Sequence, residues 1–156
     1  MAAAWATLES DAGRQAYLEE LKAGGAAQID IGRIYQAEQA FEKVVGLVAS
    51  RAYLEALAKV NDAIALYADE PEYHMWKAWL EFLVAPEAQR RSQRSASEKT
   101  IEAALLKSPL CAPGWLFLGR MAKVTGDLAA AERAWKRGLD QVKDPELERE
   151  LRFLKR

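Results

Sequence analysis

Apolar residues recur three and four positions apart along almost the whole chain, which is the spacing of one face of a helix. Val and Ile nowhere alternate with polar residues for long enough to indicate a strand. Prolines and glycines separate the helical stretches, because proline cannot continue a helix and glycine favours helix ends. The pattern predicts an all-α protein, with helices at 2–8, 12–23, 29–50, 53–68, 72–84, 93–107, 113–124, 128–142 and 145–154.

The clearest pattern lies in residues 112–142, which read as two helices joined by a tight turn. Gly126 tolerates a positive φ angle in this turn, and Asp127 is suited to cap the second helix. Gly119 on the first helix leaves room for close approach at the small residue Ala131 on the second. The residues that define this predicted hairpin are Trp115, Leu118, Gly119, Ala131, Trp135 and Gly138.

This set resembles the tetratricopeptide repeat, a helical hairpin of ~34 residues. Two weaker copies precede it in the same register, so that the resemblance covers residues 37–142. Val44 stands where the first copy should have a small residue, and the second copy carries an insertion at about 84–96. The resemblance implies a solenoid of three hairpins, each burying its apolar face against a neighbour. The upstream copies are marked by Val44, Leu47, Ala56, Val60 and Ala63, and by Ala78, Ser97, Ile101, Ala104 and Pro109.

A capping helix is predicted after the third hairpin, because residues 143–145 interrupt the chain and an apolar stripe then follows on a charged helix. Its stripe consists of Leu147, Leu151 and Leu154, and its charged residues are expected to face water. Residues 29–156 are therefore predicted to form one domain, a tetratricopeptide-like solenoid with a cap.

Residues 1–28 are predicted to be a separate N-terminal helical segment. Within it, residues 4–8 and 12–17 resemble the end of a J-domain, where an aromatic helix and a break precede arginine and tyrosine, here Arg14 and Tyr17. No His-Pro-Asp tripeptide is present in the sequence, so the J-domain activity, stimulation of a chaperone ATPase, is not implied. The resemblance indicates a J-domain remnant, or a fragment of a longer J-domain and tetratricopeptide protein.

Charge and composition narrow the possible partners. Lys and Arg number 22 against 23 acidic residues, so no overall field attracts nucleic acid or an anionic membrane. One cysteine and one histidine are too few for a disulfide or a structural zinc site. The sequence contains neither a secretory signal nor an apolar run long enough to span a bilayer. We expect a cytoplasmic protein without metal or cofactor, and without a nucleic-acid or membrane partner.

Two residues are candidates for chemistry. His74, between Tyr73 and Met75 and close to Trp76, could act as a base or pH sensor, but no nucleophile or phosphate-binding loop accompanies it. Cys111 lies in an inter-repeat loop between two prolines and is interpreted as a packing residue. We assign no catalytic residue, and the chain is not expected to be an enzyme.

The most basic stretch is 90–94, whose arginines could hold a phosphate or an acidic partner through bidentate contacts. The alternative is a solvated insert between helices, since Glu87 and Glu98 flank the stretch. The candidate anion-binding residues are Arg90, Arg91 and Arg94.

In tetratricopeptide proteins the first helix of each hairpin lines a concave groove, and the resemblance implies an apolar groove with a basic end here. The positions of the carboxylate clamp found in chaperone-binding members hold Phe41, Val45, Trp76, Pro113 and Phe117, so that clamp is absent. An apolar or amphipathic helix is the expected ligand, with Trp79 and Phe82 as its main anchors. Alternatively, the groove residues are ordinary packing residues. They are Phe41, Val45, Val48, Met75, Trp79, Phe82, Leu116, Arg120 and Lys123.

The predicted function is that of a protein-interaction module or scaffold that binds a partner peptide or helix, with a link to a DnaJ-like co-chaperone context. The alternative is self-association, in which the N-terminal helices or the groove pack against another copy of the chain.

Overall fold

The computed structural model describes the backbone of residues 11–155 and the side chains of residues 30–155. In this part every regular element is helical, which confirms the all-α prediction. The predicted helix 2–8 lies outside the described residues. The helices are α1 Asp11–Ala49, α2 Tyr53–Leu66, α3 Pro71–Val84, α4 Arg90–Lys107, α5 Ala112–Val124, α6 Leu128–Gln141 and α7 Pro145–Leu154, and a 3-10 turn, Glu87–Gln89, precedes α4.

The helices pair as three hairpins, α1 with α2, α3 with α4 and α5 with α6, and α7 packs against α6 and α5. The first helices of the hairpins lie side by side. The ring of Phe41 on α1 is 4.9 Å from that of Tyr73 on α3, and Trp76 on α3 is 4.8 Å from Phe117 on α5. The predicted helical-hairpin solenoid with a C-terminal cap is therefore confirmed.

Two clusters of buried side chains form the core. Trp76 and Leu83 are partly buried and pack against both clusters, so they lie at the junction between the first hairpin and the rest. The N-terminal cluster consists of Ala37, Val44, Ala56, Val60, Ala63, Tyr73 and Leu80. The C-terminal cluster contains Met75, Ala78, Trp79, Phe82, Ile101, Ala104, Leu105, Trp115, Leu116, Phe117, Leu118, Met121, Ala122, Ala131, Trp135 and Leu147.

The α5–α6 hairpin closes as its sequence predicts, with one difference. Gly126 has a φ of 87°, and the Asp127 side chain accepts a hydrogen bond from the Ala130 N–H at 3.1 Å. Gly119, however, makes room for the side chain of Trp135, whereas the sequence predicted a close approach of the helix backbone at Ala131. A Cβ at Gly119 would lie 2.0 Å from Trp135 Nε1, which donates to the Leu116 carbonyl at 3.2 Å. This pair of residues sets the separation of the two helices.

Helix α1 is longer than predicted, because it runs without a break through Gly24-Gly25 where two helices were expected. A glycine inside a helix costs only about 1 kcal/mol relative to alanine, which weakens a helix without ending it. Among the described side chains of α1, those in the N-terminal cluster begin at Ala37, and α1 with 39 residues is much longer than its 14-residue partner α2. The division of the chain at residues 28 and 29 stays a prediction. Although α1 is long, no described helix combines the length and apolarity needed to cross a bilayer.

The predicted insertion at 84–96 is mostly helical. Helix α4 begins at Arg90 instead of residue 93, and the 3-10 turn before it is closed by a hydrogen bond from the Gln89 N–H to the Pro86 carbonyl at 2.8 Å. The basic stretch 90–94 therefore occupies the first turns of α4 and is not a loop.

Candidate partner-binding surface

Helix α1 contributes predicted groove residues that solvent reaches. Val45 is 50% exposed, while Phe41 and Val48 are half-buried against the N-terminal cluster. These three side chains follow one another at intervals of three and four residues and so share one side of α1. Of the three, Phe41 contacts α3, through the rings of Tyr73 and Trp76.

Four other predicted groove residues are buried, and the prediction of an open groove is wrong for them. Met75, Trp79, Phe82 and Leu116 are at most 7% exposed. The reason is close packing of α3 and α5 with bulky residues between them: the rings of Trp79 and Phe117 stack at 5.1 Å with an interplanar angle of 3°. These side chains hold the hairpins together and are not available to a partner.

The predicted groove residues on α3 included Met75 and Trp79, but the residue of α3 that solvent reaches on this surface is Trp76. It is half-buried, and its ring lies 5.9 Å from the ring of Phe41 and 4.8 Å from that of Phe117, with an interplanar angle of 78° in both pairs. Its Nε1 donates to Glu72 Oε1 at 3.4 Å. Trp76 and Leu83 lie seven residues, or two helical turns, apart on α3 and so share one side of the helix. This spacing is the signal in the sequence that could have identified Trp76. We call the surface formed by Phe41, Val45, Val48, Trp76, Arg120 and Lys123 the inner face.

The basic end of the inner face is paired with the capping helix. Arg120 lies 3.3 Å from Glu150 and 3.8 Å from Glu146, and Lys123 lies 3.9 Å from Glu150. The Glu150 side chain is only 18% exposed, so the expectation that it faces water is wrong. Glu150 joins α7 to α5 because it meets two cations there, and together with Glu146 it offsets the two positive charges at the end of the surface that was predicted to be basic.

The three candidate anion-binding arginines differ in burial and in their partners. Arg94 is engaged within the fold: it pairs with Glu98 at 2.5 Å, donates to Thr125 Oγ1 at 2.9 Å and reaches Asp127 at 3.4 Å. It ties α4 to the α5–α6 turn. Arg91 is exposed, whereas Arg90 is half-buried, with its Nε lacking a hydrogen-bond partner among the described residues. Arg94 is thus already paired within the fold, and the anion-binding role of Arg90 and Arg91 stays a prediction.

Asp127 makes the α5–α6 turn sensitive to acid. The hydrogen bond from the Ala130 N–H, and then Arg94, hold its pKa below the usual 3.8. A depressed folded-state pKa stabilises the fold above the unfolded value, so this contribution is complete above pH 3.8 and is lost as the pH falls through the folded-state pKa. Asp127→Asn retains a capping acceptor but does not titrate.

We therefore expect the melting temperature of Asp127→Asn to fall less than that of the wild type between about pH 5 and about pH 2.5. Circular dichroism melts across this range check it. Parallel declines in the two proteins would contradict the role assigned to Asp127.

Three carboxylates border the inner face at the N-terminal end of α3, and we call Glu38, Glu70 and Glu72 the acidic rim. Tyr73 Oη donates to Glu38, and the Glu72 N–H donates to Glu70 at 3.3 Å, which caps α3. Burial raises the pKa of Glu72, and Glu70 and Glu38 raise it further, against the lowering effect of the Trp76 hydrogen bond. The carboxylates are thus close enough to repel one another.

Neither candidate for chemistry has the surroundings of a catalytic group. Burial, and then the charge of Glu72, raise the pKa of the half-buried Cys111 thiol to about 11, so it stays protonated at neutral pH. The His74 ring lies 2.6 Å from the Ala68 carbonyl through Nε2 and there joins α3 to the preceding loop. Among the described residues no group of His, Cys, Asp or Glu could hold a metal ion.

A second apolar surface, on the outer side, was not predicted from the sequence. Leu106 is 87% exposed and Leu110 is 66% exposed. Leu106 lines a cleft of about 590 Å³ between α4 and α6, together with Trp115 and Arg137. Arg137 lies over the Trp115 ring at 5.3 Å and covers part of it.

Comparison with solved structures relates the fold to a known one. The tetratricopeptide repeat domain of Sgt2 from Aspergillus fumigatus is similar, with a TM-score of 0.56, over 77% of this chain and 77% of that chain. The sequences are 18% identical, so the similarity shows the fold alone. No protein-family model matches the sequence. A search of curated proteins also finds no match. The chain therefore has a tetratricopeptide-like fold, as the pattern in residues 37–142 predicted.

Proposed function

We propose that the protein is an interaction module that binds a segment of another protein on its inner face. The observation that supports this most is the placement of Trp76, which is half-buried and in contact with the rings of Phe41 and Phe117. Aromatic side chains held in a fixed orientation are the usual anchors of protein interfaces. Val45, half exposed, extends the same apolar surface along α1. The fold contributes support as well, since stacked helical repeats present extended binding surfaces.

The affinity would come from shape and apolar burial. Each partly exposed aromatic or aliphatic side chain that a partner covers contributes on the order of 1–2 kcal/mol. Because Trp76 is fixed by packing and by its hydrogen bond to Glu72, little conformational entropy is lost on binding. The mechanism involves no chemical step.

Site-specific photo-crosslinking in cells tests this proposal. A benzoylphenylalanine at Val45 should capture a partner, whereas the same group at Leu106 on the outer side should not capture it. Trp76→Ala should abolish the Val45 adduct while circular dichroism shows that the helices persist. An adduct formed equally from Leu106, or unaffected by Trp76→Ala, would place binding elsewhere.

Self-association is the second candidate, and a specific observation favours it. Ile31 and Tyr35 are 64% and 65% exposed, lie one turn apart on α1, and precede the part of α1 that α2 covers. An exposed apolar pair on a helix that extends beyond its partner is suited to pack against a second copy. Light scattering at several concentrations should then give a mass that rises with concentration, and the Ile31→Ser, Tyr35→Ser variant should stay monomeric. A concentration-independent monomer mass for the wild type would exclude this candidate.

The cellular context of the proposal rests on sequence. A DnaJ-like co-chaperone role depends on the resemblance in residues 4–17, of which the first part lies outside the described residues. A cytoplasmic location is likewise an expectation, and it rests on the composition of the sequence.

A further inference from the structure

The charges along the inner face differ in whether they are compensated. At the C-terminal end of α5, Arg120 and Lys123 are both paired with the capping helix, whose Glu146 and Glu150 supply one negative charge for each cation. At the opposite end, no carboxylate of the acidic rim has an ion pair with any described Lys or Arg. The uncompensated charge of this surface is therefore negative.

The hydrogen bonds of the acidic rim leave that charge in place. Glu38 accepts from the Tyr73 hydroxyl, Glu70 from a backbone N–H and Glu72 from the Trp76 indole, all of which are neutral donors. Each ionised carboxylate can accept about four hydrogen bonds. The rim therefore retains acceptor sites for a cation after its bonds within the fold are made.

Trp76 places an aromatic ring beside these acceptors. Its indole is bonded to Glu72, so a cation next to the Glu72 carboxylate is also close to the indole ring. A Lys or Arg side chain gains charge-assisted hydrogen bonds from the carboxylate, while its aliphatic stem can pack on the edge of the indole. A metal ion does not fit, because no described group of such ligands lies close enough together to hold one.

We propose that the inner face recognises a protein segment that presents apolar side chains together with a lysine or arginine, and that this cation binds the acidic rim next to Trp76. This inference rests on the proposed function and adds the chemistry of the partner. Its basis is charge complementarity: the cations of the surface are already occupied by Glu146 and Glu150, whereas the rim carboxylates are not. The same arrangement disfavours an acidic segment, since it would meet uncompensated carboxylates beside the apolar surface.

Two synthetic amphipathic peptides test the inference on the whole chain. They share a leucine face and differ in carrying lysine or glutamate at the polar positions, and their dissociation constants are measured by calorimetry at low and high salt. The test variant is Glu38→Gln with Glu72→Gln, because glutamine still accepts the hydrogen bonds from Tyr73 and Trp76. The matched control is Glu55→Gln with Glu102→Gln, which removes the same charge from exposed positions on α2 and α4.

We expect the lysine peptide to bind more tightly than the glutamate peptide, and its affinity to fall with salt. The test variant should weaken its binding about tenfold, or roughly 1.4 kcal/mol, and the control less than about twofold. Tighter or equal binding of the glutamate peptide, or equal effects of the two variants, would overturn the inference. Failure of both peptides to bind would also overturn it. The crosslink at Val45 decides the proposed function separately, because it does not depend on the charge of the partner.

Discussion

Gly119→Ala is expected to lower the free energy of unfolding by about 2–5 kcal/mol. The added methyl group would lie 2.0 Å from Trp135 Nε1, and Trp135 is fully buried, so the ring must move. Movement breaks its hydrogen bond to the Leu116 carbonyl and leaves the buried indole N–H without a partner. Since domains are stable by only about 5–15 kcal/mol, such a loss is a large part of the total.

Urea denaturation measured against a matched glycine variant checks this expectation. Gly46 also lies inside a helix, but nothing lies within 4 Å of a Cβ built there. Gly46→Ala should therefore stabilise the protein by about 0.5–1 kcal/mol, through the better helix propensity of alanine. Equal effects of the two substitutions would mean that Trp135 does not lie against Gly119.

Trp79→Ala is expected to cost about 3–5 kcal/mol of stability, as truncation of a large buried aromatic residue does. Trp79 is 7% exposed and its ring stacks on Phe117 and on Phe82. Trp76→Ala should cost less, because Trp76 is only half-buried. Thermal and urea unfolding of both variants tests the order. If Trp79→Ala unfolds within about 1 kcal/mol of the wild type, its assignment to the core is wrong.

Binding experiments need to distinguish the effect of removing Trp76 from the effect of removing Trp79. The sequence interpretation made Trp79 and Phe82 the anchors of a ligand, but a partner lost from a variant of these residues would report a disrupted core. Trp76 is the informative position, because its removal takes away a partly exposed side chain and leaves the stacking of Trp79 on Phe117 intact.

Local patterns were sufficient to predict the hairpins. The α5–α6 pair was placed within one residue at each end, and Gly126 and Asp127 have the turn and capping roles expected of them. These features depend on neighbouring residues, because a turn requires a particular backbone angle and a cap requires one side-chain acceptor. The structural role of such residues can therefore be predicted from the few residues around them in the sequence.

The inner face was harder to predict because it depends on how closely neighbouring hairpins approach. A helical register shows that Met75 and Trp79 are apolar and near one another, but not which of them the next hairpin covers. The pairing of Arg120 with Glu150 depends likewise on where α7 packs, 30 residues further along the chain. The repeat register, which placed Arg120 and Lys123 on the groove, therefore assigned a basic end to a surface that is neutral there and acidic at the other end.

Trp76 has a consequence for cooperativity, because it packs against both core clusters while one side of it meets solvent. In a stack of repeats, the energy of the interface between neighbours decides whether the units unfold together or one by one. A partner that covers Trp76 strengthens the contact joining the first hairpin to the other two. Binding at this one side chain should therefore make the whole stack unfold in a sharper single transition. If the contact at Trp76 is weak, the first hairpin unfolds separately.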